Sequence, residues 1–325
     1  MRLFRRINRR LKYVFHCFFV DIRNFPMRFV VIDFLFNMFS LNGKTDGLSF
    51  RIRKKRDNYI INFLEKNNSN TIEKYVNKKR KNDEKTERII WVCWLQGEKE
   101  APLLVKKCIA SIRNNNPKCK TIVIDNLNYR KYVKLKPYII EKFNNKQITF
   151  AHFSDILRIN LINQNGGLWI DATVFCSKEI PESVFEQPFF TCKSPKRESI
   201  YISQYQWTGF IIGGARNSIY FSLMAEMLDN YWEKYNTIIE YLLIDYMTFL
   251  TNKKIKEIHC LFENNPINNL DRDELQNNFN EPYSKELFDS ITKSETYFFK
   301  TSWRIKFNEK TDDGKETLYS FFLRG

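Results

Sequence analysis

Arg88-Ile-Ile-Trp-Val-Cys-Trp-Leu95 is an unbroken apolar run of strand length, and the residues after it leave few folds open. The run stops at Gln96-Gly97. Pro102 suits the first turn of a helix, and Leu104, Cys108 and Ile112 then recur at four-residue spacing up to Asn114-Asn-Asn-Pro117. Lys120-Thr-Ile-Val-Ile-Asp125 is a second strand, β-branched and closed by a carboxylate. Strand, helix and strand joined by short links predict a Rossmann-like βαβ start and a parallel α/β sheet. Ligands of such sheets sit beyond the carboxyl ends of the strands, which places Trp94, Gln96 and Asp125 near a site.

The second informative stretch runs from Phe153 to Phe175. Ser154 is expected to cap a helix that stops at Gly166-Gly167. Asp155 and Arg158, three apart, share a face of that helix. Residues 168–175 alternate as one strand, with Trp169, Asp171, Thr173 and Phe175 on one side. A carboxylate in so apolar a strand calls for a cation or hydrogen-bond donors. A metal-bound diphosphate or ribose hydroxyls would meet that need. Gly213-Gly214 reads as a turn before a long helix starting near Asn217, and no Gly-x-Gly-x-x-Gly or Walker sequence occurs.

Charge separates the chain into unequal parts. Residues 1–88 carry 22 basic and 9 acidic side chains; the remaining 31 and 28 belong to residues 89–325. A nearly neutral body argues against nucleic acid as a partner. Arg2, Arg5, Arg6, Arg9, Arg10 and Lys12 precede two aromatic runs, 13–20 and 29–39, each too short to span a bilayer. We therefore expect residues 1–50 to form helices lying in a membrane interface. The competing reading of this segment is a helical subdomain packed on the body. Residues 51–87 read as a helix around Tyr59, Ile60, Phe63 and Leu64 with a charged, solvated connector, and 88–325 as the main domain. The seven scattered cysteines form no Cys-x-x-Cys pair and read as buried free thiols of a cytoplasmic protein.

Ser154-Asp155-x-x-Arg158, then Gly166-Gly167-x-Trp169-x-Asp171-Ala-Thr173, resembles bacterial capsular polysaccharide synthesis proteins. These in turn are similar to GT-A glycosyltransferases with a DxD motif, including the family 32 sugar transferases. Ile90-Trp91-x-x-Trp94-x-Gln96-Gly97, Ala101-Pro102 and Cys108-x-x-Ser111 also fit; Ile244-Asp245-Tyr246 and 296–304 fit more weakly, and 1–87 not at all.

The resemblance implies a GT-A-like nucleotide-sugar-binding domain. It implies that Trp94 flanks the nucleobase and that Asp155 and Arg158 hold the donor sugar and its phosphate. Asp171 would meet the ribose or a divalent ion, Mn²⁺ or Mg²⁺. Gln96, Gly97, Asp125, Ser154, Gly167 and Thr173 would complete the donor site. Two departures stand out: Thr173 replaces the second acid of the motif, which weakens the case for a metal, and Phe299 replaces a His, leaving Lys300 and Trp303 as ligands. The activity implied is transfer of a sugar, with uridine diphosphate sugars the leading donors, to a surface polysaccharide or its lipid-linked precursor at the inner face of the cell membrane. The alternative, kept open by Thr173 and Phe299, is a noncatalytic scaffold or binding protein of a polysaccharide assembly complex.

Overall fold

Strand β1 (Ile89–Cys93) is an interior strand of the chain's main sheet, and its two faces are both apolar. Ile90 and Val92 enter one core, where α5 (Leu103–Asn115) covers them with Leu104, Cys108 and Ile112. Trp91 enters the opposite core with Tyr129, Phe153 and Ile156. Residues buried on both faces are what a parallel strand requires. The computed structural model describes residues 2–39, 47–79 and 85–324, with side chains from Leu11 onward.

β1 pairs in parallel with β2 (Lys120–Ile124) on one side and with β3 (Gly167–Ile170) on the other. β6 (Ile211–Gly214) and β5 (Phe189–Thr191) extend the sheet antiparallel, in the order β2-β1-β3-β6-β5. Between β2 and β3 run α6 (Pro137–Asn144) and α7 (Phe150–Asn165). The chain is thus a mixed α/β protein with a parallel-strand core, as the βαβ pattern requires.

Several local expectations are corrected. Residues 168–175 are two strands, not one. β3 ends at Ile170, the chain turns through Asp171-Ala172-Thr173, and β4 (Val174–Cys176) pairs with β7 (Phe298–Lys300) in a separate two-stranded sheet. The turn is closed by Val174 N–H on Asp171 O at 2.9 Å. Apolar alternation resumes after it, which is why the sequence reads as continuous. α7 is capped by Thr149, whose hydroxyl accepts from the His152 N–H, so Ser154 lies inside the helix. Gly213 and Gly214 are strand residues of β6, not a turn. A Cβ on Gly213 would come within 2.7 Å of Leu168 Cδ1 and 2.9 Å of Gly167 O, so only glycine lets β6 lie against β3. The long helix that follows, α9 (Ile219–Lys234), begins beyond Asn217; α8 (Glu182–Glu186) lies before β5.

The N-terminal part comprises α1 (Arg2–Asn24), α2 (Met27–Phe39), α3 (Gly47–Asn67) and α4 (Ser69–Val76). α3 runs through the expected boundary at 50/51. Its Ile60 and Leu64 are buried in the same core as Phe25 and Phe29 of the N-terminal segment and Tyr231 and Leu250 of the body. Arg56, itself buried, donates to Asp33 of α2 at 2.5 Å and pairs with Glu240 of the body. One face of α3 and α4 is therefore packed, while residues 76–79, Lys85 and Glu87 are exposed; Thr86, buried between the last two, bonds Phe185 O and Gln187 O. Residues 80–84 of the expected connector, and the side chains of Arg2, Arg5, Arg6, Arg9 and Arg10, lie outside the described set. Phe15 and Phe19 of α1 and Val31 and Leu35 of α2 are exposed. Among the described residues no helix is long and apolar enough to cross a membrane. All seven cysteines are free, but Cys260 is exposed and only Cys108, Cys176 and Cys192 are buried.

Candidate functional site

A cleft of about 420 Å³ opens at the carboxyl ends of β1 and β3, against α7 and the start of α10 (Leu243–Lys254). Three chain segments converge there, each for a local reason. α7 carries Asp155 and Arg158 on one face. The turn after β3 carries Asp171 and Thr173. The register of β7 on β4 sets Lys300 opposite Val174, next to that turn, and Thr301 locks it by donating to Thr173 O at 2.8 Å.

Asp171 is the centre of the network. Its Oδ1 accepts from Trp169 Nε1 at 2.9 Å and from Arg158 Nη2 at 3.1 Å, and its Oδ2 accepts from Lys300 Nζ at 2.8 Å. Lys300 Nζ also donates to Thr173 Oγ1 at 2.8 Å. Arg158 Nη1 donates to Asp155 Oδ1 at 2.6 Å, and the guanidinium lies 4.9 Å from the Trp169 ring. Arg158 is buried, so this is not a solvated helix-face pair of small worth. A Cβ on Gly209 would sit 3.2 Å from Arg158 Nη1, so glycine there leaves the guanidinium its place.

Electrostatics divide the three carboxylates. Burial works to raise the Asp171 pKa, but Lys300 and Arg158 outweigh it and hold the group below the usual carboxylate range. Burial raises Asp155 to about 6, against the pull of Arg158. Burial likewise raises Asp245, on α10, to about 6, although Trp207 Nε1 donates to its Oδ1 at 2.7 Å.

The site residues expected from sequence fall into two groups. Trp94, Gln96, Ser154, Asp155, Arg158, Asp171, Thr173, Lys300 and Trp303 all line the cleft. Trp94 meets Trp303 edge to face at 5.8 Å, and its indole N–H is buried without a partner among the described residues. Asp125, Gly97 and Gly167 do not line it. Asp125 caps its own turn, accepting from the Leu127 and Asn128 N–H groups at 2.8 Å, because β2 lies one strand farther from the cleft than β1. Gly97, at φ +93°, shapes the turn after Trp94. Gly167, at φ +106°, has a structural role: a Cβ there would meet Ile89 O at 2.5 Å and separate β3 from β1. Phe299, in place of the expected His, is buried in the core.

Sequence reasoning did not assign Trp169 or Asp245 to the site. Trp169 is buried as expected of a core residue, yet its N–H orients Asp171 from two positions upstream. The signal for Asp245 was an acid isolated in the apolar run Leu242-Leu243-Ile244. Gly209, Phe210 and Tyr241 carried none.

A divalent ion takes several oxygen ligands. The surroundings of Asp171 fit such an ion poorly, because both of its oxygens hold protein donors and two of those donors are cations. Asp155 and Asp245 each have Oδ1 engaged, by Arg158 and by Trp207. Among the described residues no three His, Cys, Asp or Glu are grouped to hold a metal.

Compared with known proteins, residues 44–322 match the family model described as capsular polysaccharide synthesis protein. No curated protein matches the chain. Among solved structures, the chain is similar to the PaToxG glycosyltransferase at 12% identity with a TM-score of 0.33, over 76% of this chain and 99% of that one.

Proposed function

The chain belongs to the capsular polysaccharide synthesis protein family, and from that premise we propose that it is a glycosyltransferase using a nucleotide-sugar donor. We read the fold as GT-A-like, with Asp171-Ala172-Thr173 as its altered DxD turn. A UDP-sugar is the leading donor class, and the acceptor is a capsular or other surface polysaccharide or its lipid-linked precursor. The observation that carries this reading is the Asp155–Arg158–Asp171–Lys300 network at the carboxyl ends of β1 and β3, beside the Trp94–Trp303 pair.

In this reading Trp94 and Trp303 form the aromatic walls for the base, since a flat ring system gains most from such faces. Asp155 and Asp245 accept from hydroxyls of the sugar. Arg158 and Lys300 face the diphosphate. As the glycosidic bond breaks, negative charge builds on the leaving nucleoside diphosphate, and cations fixed in place beforehand stabilise it without reorganising. Membrane attachment through the basic, aromatic start of the chain would hold the protein at the inner face of the cell membrane, next to a lipid-linked acceptor.

The test is a panel of nucleotide sugars measured by melting temperature, followed by sugar release or transfer. Donor-selective stabilisation supports a transferase. A chain that answers to no nucleotide sugar would instead be a scaffold retaining the fold.

A further inference from the structure

We infer that the charge of the donor's diphosphate is met in this chain by the side-chain cations Lys300 and Arg158, for which Asp171 is the anchor rather than a divalent-metal ligand. The inference rests on the transferase reading and deepens it.

The geometry supports it in three steps. Asp171 is heavily engaged: Oδ1 holds Trp169 and Arg158 and Oδ2 holds Lys300, so three of about four lone-pair sites carry donors and two of those are cations. A metal approaching Oδ2 would meet the charge of an ammonium group 2.8 Å from that oxygen, which has a second hold on Thr173. Thr173 stands where a second acid would sit, and its hydroxyl accepts from Lys300 instead. Asp171 and Thr173 therefore cooperate in fixing a lysine.

The two cations also keep donor capacity to spare. An ammonium group has three N–H bonds, and Lys300 spends two of them on Asp171 and Thr173. The third is left for a phosphate oxygen. Arg158 directs one N–H of Nη1 to Asp155 and one of Nη2 to Asp171, and each of these nitrogens carries a second N–H. Hydrogen bonds from a cation to an anionic oxygen are the stronger kind. Arg304, stacked 5.5 Å from the Trp303 ring, adds a third cation at the mouth of the cleft.

Lys300 owes its position to long-range structure. It is the last residue of β7, and pairing with β4 sets its height over the turn. A lysine held this firmly loses little freedom when it meets the phosphate.

The experiment uses the purified full-length chain and two probes, Mn²⁺ and UDP. Mn²⁺ is titrated into the protein, alone and with UDP, with the free ion followed by electron paramagnetic resonance. UDP affinity is measured by calorimetry in EDTA and again with Mn²⁺. We expect no saturable Mn²⁺ site on the protein alone, and a UDP affinity that changes by less than about twofold between the two media. Lys300→Met should weaken UDP binding in EDTA by about tenfold or more, and Lys300→Arg should keep most of it. A stoichiometric Mn²⁺ site that Asp171→Asn removes, or UDP binding that depends on Mn²⁺, overturns the inference. If UDP and other nucleoside diphosphates fail to bind in either medium, the transferase reading falls and the diphosphate role of Lys300 with it. The Mn²⁺ titration then still decides the role of Asp171.

Discussion

Lys300 reaches Asp171 from 129 residues farther along the chain, Nζ to Oδ2 at 2.8 Å. The contact joins the turn after β3 to the last residue of β7, and so ties the main sheet to the small one at the floor of the cleft. Asp171→Asn would leave an amide able to accept from Trp169 and Arg158, but with no charge for Lys300. We expect transfer to fall by well over tenfold, a loss of more than about 1.4 kcal/mol in transition-state stabilisation. Initial rates with the donor identified by the nucleotide-sugar panel check this. A variant that keeps more than a tenth of the wild-type rate contradicts the role given to Asp171.

Arg158 is expected to matter for the fold as well as for the activity. As a helix-face pair read from spacing alone, Asp155 and Arg158 would cost little to disrupt. In the structure Arg158 is buried and bonded to two carboxylates, with Trp169 against its plane. Arg158→Ala would leave Asp155 and Asp171 short of a buried cation. Removing one partner of a buried pair costs about 3–5 kcal/mol. Asp155→Asn keeps an acceptor for Nη1 and should be much milder in stability while still impairing turnover. Urea unfolding and kinetics on the same preparations separate the two effects. Equal stability of Arg158→Ala and wild type would mean that the guanidinium is not buried in solution.

How much of the fold and the site is legible in the sequence depends on how local each signal is. β1, α5 and β2 are readable because apolar runs and four-residue spacing are local. The cleft's position comes from the parallel sheet, and the three segments that meet there each contain a residue that the sequence marks. The break at Asp171–Thr173 is hidden because Val174 and Phe175 continue the alternation of β3 into a different sheet. The packing of α3 is hidden by its charges. Arg56 looks like a solvent residue until Asp33 and Glu240, distant in sequence, are seen on either side of it. Asp125 misleads because strand order is not a local property: its carboxylate closes β2, but β2 is the edge strand.

Asp245 gives a pH dependence of definite sign. Burial lifts its pKa from 3.8 to about 6, and the Trp207 hydrogen bond offsets this only in part. Between those values the folded chain binds more protons at this site than the unfolded chain does. The stability from this group is therefore present at low pH and lost as pH rises through about 6. Asp245→Asn removes the penalty and keeps an acceptor for the indole N–H. The melting temperature of the variant relative to wild type should thus be more favourable at about pH 8 than at about pH 5. A difference that is flat or reversed across that range would show the carboxyl to be ordinarily solvated.

The N-terminal segment calls for two truncations rather than one. Removing residues 1–40 would take away Phe25, Phe29 and Val30, all buried, and with them Asp33, the partner of Arg56. Fully burying one such side chain contributes about 1.5–3 kcal/mol. Their joint loss, with a buried arginine left short of a carboxylate, approaches the whole stability of an ordinary domain, about 5–15 kcal/mol. That truncation should give aggregated or unfolded protein. Removing residues 2–12 is different. It takes away all six basic residues of the first 12 and leaves the packed part of α1 and all of α2 in place. If this basic stretch holds the chain on an anionic surface, at about 1 kcal/mol per basic side chain, the short truncation should fold, bind the donor and no longer sediment with anionic liposomes. Full-length protein should sediment at low salt and be released as salt rises, because exposed charges are screened over about 10 Å at 0.1 M. Sedimentation that the short truncation leaves unchanged would assign the attachment to the exposed Phe15, Phe19, Val31 and Leu35 instead. No sedimentation of the full-length chain at low salt would make the segment a packed subdomain and nothing more.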